Sequence, residues 1–180
     1  LKSECGFLLL SKVKCKAMKK IICLSAIAGS GKTTYAKHYK MNHTNENVFI
    51  VSSDDIRLEL TGKYDNLDHE SEVWDLYYKR INKYRDENKD CTVIADCTNI
   101  YNKWRCQIAE IPGFDEKELV ILTKPLDMVL KNNRERDPAK FVPEDAIISM
   151  YNRWEEPDDE TKKLFDEVIN VDGWFDKEKI

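Results

Sequence analysis

The chain has no surplus of positive charge: 29 lysines and arginines stand against 33 aspartates and glutamates, a net charge of -4 over 180 residues. Proteins that coat long nucleic acid bind through many cations that neutralise phosphates, so that class is excluded and only a local basic site stays open. Long apolar runs are also missing. None approaches the roughly 20 residues a membrane-spanning helix needs. Phe7–Leu10 is only four residues long, against the about 7 to 15 of a secretory signal. Six glycines and five prolines exclude a collagen-like repeat. The three histidines at 38, 43 and 69 lie far from any cysteine cluster, and the six cysteines at 5, 15, 23, 91, 97 and 106 form no Cys-x-x-Cys pair. A disulfide scaffold and a zinc site are both disfavoured, and reduced, mostly buried thiols in a cytoplasmic protein are the expectation.

A hydrophobic fraction of 42% over this length is enough for one domain with a real core. Residues 1–17 precede Met18-Lys-Lys and a strongly apolar stretch, and read as a leader or added extension with Met18 the natural start. Residues 18–180 then form a single domain. Residues 1–17 hold four lysines and one glutamate, so without them the net charge falls by three to -7.

From Met18 short apolar runs alternate with amphipathic stretches. Strands are expected at 21–26, 48–52, 92–96, 119–123 and 167–171, and helices at 32–41, 54–60, 69–88, 102–110, 125–135 and 143–155. Strands rich in β-branched residues on both faces, separated by helices, imply βαβ units and an α/β fold whose mainly parallel sheet is covered on both sides. The proline-bracketed segment Asp137–Pro143 reads as a mobile loop between two helices.

The strongest chemical signal follows the first strand. Ala26-Ile27-Ala28-Gly29-Ser30-Gly31-Lys32-Thr33 is a phosphate-binding loop with Ala in the opening position, which needs only a small residue. Gly29 and Gly31 let Ala28, Ser30 and their neighbours turn backbone N–H groups around phosphate oxygens. The helix beginning at Lys32 aims its positive end at them, and the Lys32 ammonium reaches the β/γ-phosphates. Thr33 can ligate magnesium, with Thr34 packing or donating beside it.

Acceptor chemistry is expected where the second strand ends, in Ser52-Ser-Asp54-Asp-Ile-Arg57. Asp54 can take a proton from an attacking hydroxyl, and Arg57, one turn on, can hold substrate phosphate. The plainer alternative is an N-cap aspartate with a helix ion pair. At the end of the third strand Asp96 can hold magnesium or its waters, or simply cap the next helix. Thr98 and Asn99 serve equally as substrate contacts or as caps. A lid is expected around 134–143: Arg136 is assigned to fold over the triphosphate, while Arg134 and Lys140 either join it or decorate a helix end. Trp74, Tyr77, Tyr78 and Tyr84 either stack bases or, at helical spacing, build core.

Taken in order, Met18-Lys-Lys-Ile-Ile, Gly-Ser-Gly-Lys-Thr-Thr, Asp54-Asp-Ile-Arg57, Asp96-Cys-Thr-Asn99 with Trp104-Arg105, Arg136 with Val142-Pro143-Glu144, and Ser149-Met-Tyr151 resemble the phage-type polynucleotide 5′-hydroxyl kinase family. The resemblance implies a P-loop kinase fold with sheet order 2-3-1-4-5 and transfer of the γ-phosphate of ATP to the 5′-OH end of DNA or RNA in end healing. It implies that Lys32 and Thr33 bind ATP and Mg2+, that Asp54 is the general base, that Arg57 grips the substrate's terminal phosphate and that Arg136 is the lid arginine. One departure is that some members carry the acid directly before Thr-Asn, where this chain has Cys97. The chain ends about 30 residues after the last kinase element, so a 3′-phosphatase, like a ligase, would be a separate partner. Two rivals stay open: a P-loop kinase for a nucleoside, sugar or antibiotic hydroxyl, and a non-catalytic nucleotide-binding module. No Asn-Lys-x-Asp guanine motif is present.

Overall fold

The structure is a computed structural model that describes residues 17–172. The reading of a leader concerns residues that, apart from Ala17, lie outside the described residues. Five strands alternate with helices: β1 (Lys19–Ser25), α1 (Lys32–Asn42), β2 (Val48–Ser52), α2 (Ser53–Thr61), α3 (Glu70–Glu87), β3 (Cys91–Asp96), α4 (Asn102–Ala109), β4 (Glu116–Thr123), α5 (Leu126–Glu135), α6 (Glu144–Asn152), α7 (Asp159–Lys162) and β5 (Glu167–Asp172). The sheet order is β2-β3-β1-β4-β5, every pair parallel, as expected from the sequence. No described helix is long and apolar enough to cross a membrane.

The pleat explains why the strands carry apolar residues at every position. Ile21 and Cys23 of β1 face a core shared with Val73, Tyr77 and Ile81 of α3 and Ile108 of α4. Ile22 and Leu24, one step out of phase, face Ala36 of α1 together with Ile94, Val120 and Leu122. A third cluster, of Ile27, Ile100, Val129 and Ile147, packs α5 and α6 against the loops at the carboxyl edge of the sheet. Because all five strands run parallel, Ser25, Ser52, Asp96 and Thr123 emerge on that one edge, with Ser52 in register with Asp96.

Two details depart from the sequence reading. The helix expected to reach 155 stops at Asn152, and the chain turns back so that the Glu155 N–H donates to the Ile100 carbonyl at 3.0 Å. The short α7 and a single 3-10 turn at Pro138–Lys140, inside the proline-bracketed segment, are too brief to show a period.

Candidate active site

The loop after β1 takes the shape its glycines permit. Gly29 and Gly31 have φ of 86° and 97°, left-handed values that favour glycine. Gly31 caps the N-terminus of α1. Ser30 is buried, Ala28 half-buried and Thr34 exposed. The Lys32 ammonium lies across the loop, donating to the carbonyls of Ile27 at 2.9 Å and Ala26 at 3.3 Å. Burial pushes the Lys32 pKa below its ordinary value, against the pull of Asp96 and Asp54.

Thr33 and Asp96, read separately as candidate metal residues, are brought together: the Thr33 hydroxyl donates to Asp96 Oδ2 at 2.8 Å. Asp96 is 3% exposed, and burial pushes its pKa up while Lys32 and the Thr33 hydrogen bond draw it back. The described residues hold no group of three or more His, Cys, Asp or Glu able to bind a metal. The donor set fits magnesium, a hard cation that takes one or two protein oxygens and completes its shell with phosphates and water. When bound, the ion would supply charge neutralisation to phosphate oxygens held by the same loop.

At the end of β2 the helix cap falls to Ser52, whose hydroxyl accepts from the Asp55 N–H at 3.3 Å. Asp54 therefore sits in the first turn of α2 with its carboxylate 63% exposed, paired with Arg57 at 2.7 Å. Arg57, its side chain only 9% exposed, is held from its other side by Glu70 of α3 at 2.6 Å. Burial works against the guanidinium charge, but the hydrogen bonds to Glu70 and Asp54 outweigh it and raise the pKa. Glu70 has no motif in the sequence; only the packing of α2 on α3 makes it Arg57's partner.

Asn99 and Thr98 turn out to brace the scaffold. Asn99 is buried at φ 44°, its amide donating to the Leu24 carbonyl at 2.8 Å and to Cys23 Sγ at 3.4 Å while its Oδ1 accepts from the Cys97 thiol at 3.1 Å. The half-buried Thr98 offers its carbonyl to the Ala26 N–H at 2.9 Å. The fully buried Arg105 completes the brace, donating to Ser25 Oγ at 2.9 Å with Trp154 stacked 4.7 Å away. These contacts join the ends of β1 and β3 beneath the loop.

Above the cleft, Asn133 exchanges two hydrogen bonds with the backbone of Val142, at 2.7 and 3.1 Å, and so fixes the 136–143 segment to α5. Arg136 is half-buried and makes no ion pair among the described residues; burial lowers its pKa, opposed by Asp54, Asp137 and Tyr64. Lys140 lies 4.6 Å over the Tyr64 ring and 4.0 Å from Asp55 Oδ1. Arg134, by contrast, pairs with Glu144 at 2.6 Å and joins α5 to α6. The cleft thus gathers Lys32, Asp54, Asp96 and Arg136 into one interacting set.

The aromatic set divides. Tyr77 is buried against Cys97, and Tyr84 stacks on Phe49 with centroids 4.2 Å apart, so both build core. Trp74 and Tyr78 line a cavity instead.

The chain and its fold are matched by known proteins. Residues 20–167 match the family model described as chromatin associated protein KTI12. The chain belongs to the Kti12 family. Among solved structures, a chain of the Pnkp1/Rnl/Hen1 RNA repair complex is 21% identical with a TM-score of 0.65, over 87% of this chain and 49% of that one. This Kti12-family chain therefore spans about half the length of that neighbour. Kti12 of Chaetomium thermophilum, in complex with ADP-AlF3, is 15% identical with a TM-score of 0.63, over 87% and 90% of the two chains. The gluconokinase from Sinorhizobium meliloti 1021 is 16% identical with a TM-score of 0.55, over 87% and 83%. At these identities the likeness is one of fold alone, a parallel α/β sheet of order 2-3-1-4-5 shared with P-loop kinases.

Proposed function

We propose that residues 18–180 form one ATP-dependent phosphotransferase domain acting on an alcohol, and that its acceptor is the 5′-hydroxyl end of a nucleic acid. The observation that carries the reading is the Asp54–Arg57–Glu70 chain at the carboxyl edge of β2. A nucleotide-binding module has no need of a solvent-facing carboxylate locked to a buried arginine beside its phosphate loop; a kinase does. Asp54 accepts the acceptor hydroxyl's proton as that oxygen bonds to the γ-phosphorus and the bond to the β-γ bridging oxygen breaks, releasing ADP. Arg57 holds the phosphate that follows the terminal nucleoside, and Lys32 and Arg136 neutralise charge on the transferring group. Thr33 and Asp96 hold magnesium. The neighbour from an RNA repair complex supports a nucleic-acid acceptor and, with it, a ligase or a 3′-phosphatase as a working partner. The four described cysteines, all unbridged, support a reducing compartment such as the cytoplasm.

A second reading, a nucleotide-binding module without an acceptor, is favoured by the family match together with the Kti12 structure in complex with ADP-AlF3. One assay separates the two. Labelled ATP is given with 5′-OH oligonucleotides of DNA and RNA, nucleosides and sugars, alongside the Asp54→Asn variant. Transfer to the oligonucleotides that falls ~100- to 10,000-fold in Asp54→Asn, with ATP binding retained, is expected for a general base. Phosphate release without transfer, or full labelling by Asp54→Asn, overturns the proposal, and labelling of sugars or nucleosides alone selects the small-molecule kinase.

A further inference from the structure

A cavity of about 550 Å3 opens between α3 and α4, beyond the end of β3. Its volume falls in the range of small-molecule and cofactor sites. Trp74 and Tyr78 line it from α3, Trp104 and Gln107 from α4, and Thr98 from the connecting loop. Trp74 and Trp104 are 36% and 39% exposed, an unusual surface position for the largest apolar side chain. Each is braced by one tyrosine at a steep angle: Tyr77 at 5.5 Å and 75°, Tyr101 at 4.5 Å and 76°. The braces fix the planes of the indoles and leave ring surface open to the cavity.

The lining also carries polar edges. Gln107 and Glu110 lie three residues apart on the α4 side, both exposed, and their side chains have no hydrogen-bond partner among the described residues. Aromatic faces with unengaged donors and acceptors at their margin suit a flat ligand that has a π-face and a polar edge. An aliphatic chain would offer Gln107 and Glu110 no partner, whereas a base stacks favourably on an aromatic ring.

Position identifies the ligand further. Glu70, which clamps Arg57, is followed one and two turns later on the same face of α3 by Trp74 and Tyr78. On the other side, Thr98 lies two residues beyond Asp96. Both walls of the cavity therefore start beside residues of the candidate site: one turn of α3 separates Trp74 from the Glu70 that holds Arg57, and two residues separate Thr98 from Asp96. We infer that it holds the nucleobase of the acceptor's 5′-terminal nucleotide, stacked on Trp74 and Trp104, with its edge met by Gln107 and Glu110. This inference rests on the acceptor reading above.

The test compares a 5′-OH trinucleotide with the same molecule lacking its first base. Binding is measured without ATP, and transfer is measured with it. The native protein is expected to prefer the base-bearing end in both measurements. Trp74→Ala and Trp104→Ala are expected to shrink that preference roughly 10- to 100-fold, the range for removing one stacking ring, while Trp74→Phe retains most of it. Equal treatment of the two acceptors by the native protein overturns the inference. So does a loss in the alanine variants that falls equally on both acceptors, as a folding defect would. A base preference in binding with no transfer would sink the kinase and leave the cavity assigned; transfer without base preference would do the reverse.

Discussion

Asn99 shows how a residue beside a reactive cleft can be committed to holding it together. Its backbone sits at φ 44°, which costs a side-chain-bearing residue roughly 1–2 kcal/mol. Its amide nevertheless satisfies the Leu24 carbonyl in a dry site. Asn99→Ala keeps the strain and leaves that carbonyl, among the described side chains, only the Cys23 thiol at 4.0 Å, so a loss of about 2–4 kcal/mol is expected in denaturant titration. Asn99→Gly relieves the strain and is expected to lose about 1 kcal/mol less; equal losses would show that the backbone geometry contributes nothing. The neighbouring Cys97 supplies a pH signature. Burial pushes its thiol from an ordinary 9.0 up to about 12, so between those values the native state holds a proton that the unfolded chain has released. Stability must then fall as pH rises through that window, by up to about 1.4 kcal/mol per pH unit for this group. Cys97→Ala is expected to flatten the slope measured by denaturation at pH 9 to 11. At this scale the turn of the phosphate loop and the pairing of Asp54 with Arg57 are legible because the residues involved are near in sequence. Asn99 is not: both readings offered for it are local, and what decides its fate is Leu24, 75 positions away.

Element packing explains why Gly29 is irreplaceable in a way its own loop does not reveal. A Cβ there would lie 2.9 Å from Val129 Cγ1 and 3.1 Å from the Val129 carbonyl, so α5 is seated directly on the phosphate loop. Asn132 of the same helix donates to the Gly29 carbonyl at 3.4 Å. Gly29→Ala must displace either the loop or α5, and α5 holds the 136–143 segment through Asn133. A stability loss of about 1–3 kcal/mol together with at least a roughly tenfold weaker ATP affinity is expected, read by calorimetry. Gly62→Ala is the control. Its φ of 74° is equally left-handed, but nothing lies within 4 Å, so only about 1 kcal/mol of strain is expected and ATP affinity stays. The elements themselves were readable because hydrophobic period and β-branched runs are strong over their lengths, and even the sheet order followed from the family resemblance. What could not be read was the seating of one element on another: α5 on the loop, Glu70 against Arg57, and the early end of α6 where the chain turns back to Ile100.

For the whole molecule, a net charge of -4 and the polyanionic acceptor proposed above look opposed. Four cations converge on the cleft. Lys32 and Arg57 are half-buried or buried within the cleft, and the 136–143 segment adds Arg136, near Asp54, and Lys140, 4.0 Å from Asp55. A chain acidic in balance has little to hold the length of a nucleic acid, and the proposed acceptor site needs only its end. Binding should therefore depend on salt weakly. With two or three cations at the cleft mouth and a coefficient of about 0.7 per phosphate contact on a single strand, log affinity against log salt is expected to fall with a slope of about -1 to -2. A protein tracking six to ten phosphates would give about -4 to -7. Fluorescence anisotropy with a 5′-OH oligonucleotide from 50 to 300 mM salt reads this directly, and lengthening the oligonucleotide beyond its first few nucleotides should leave both slope and affinity unchanged. A steep slope that grows with length would mean that a basic track runs over the surface, and that end recognition is not what the acidic balance protects.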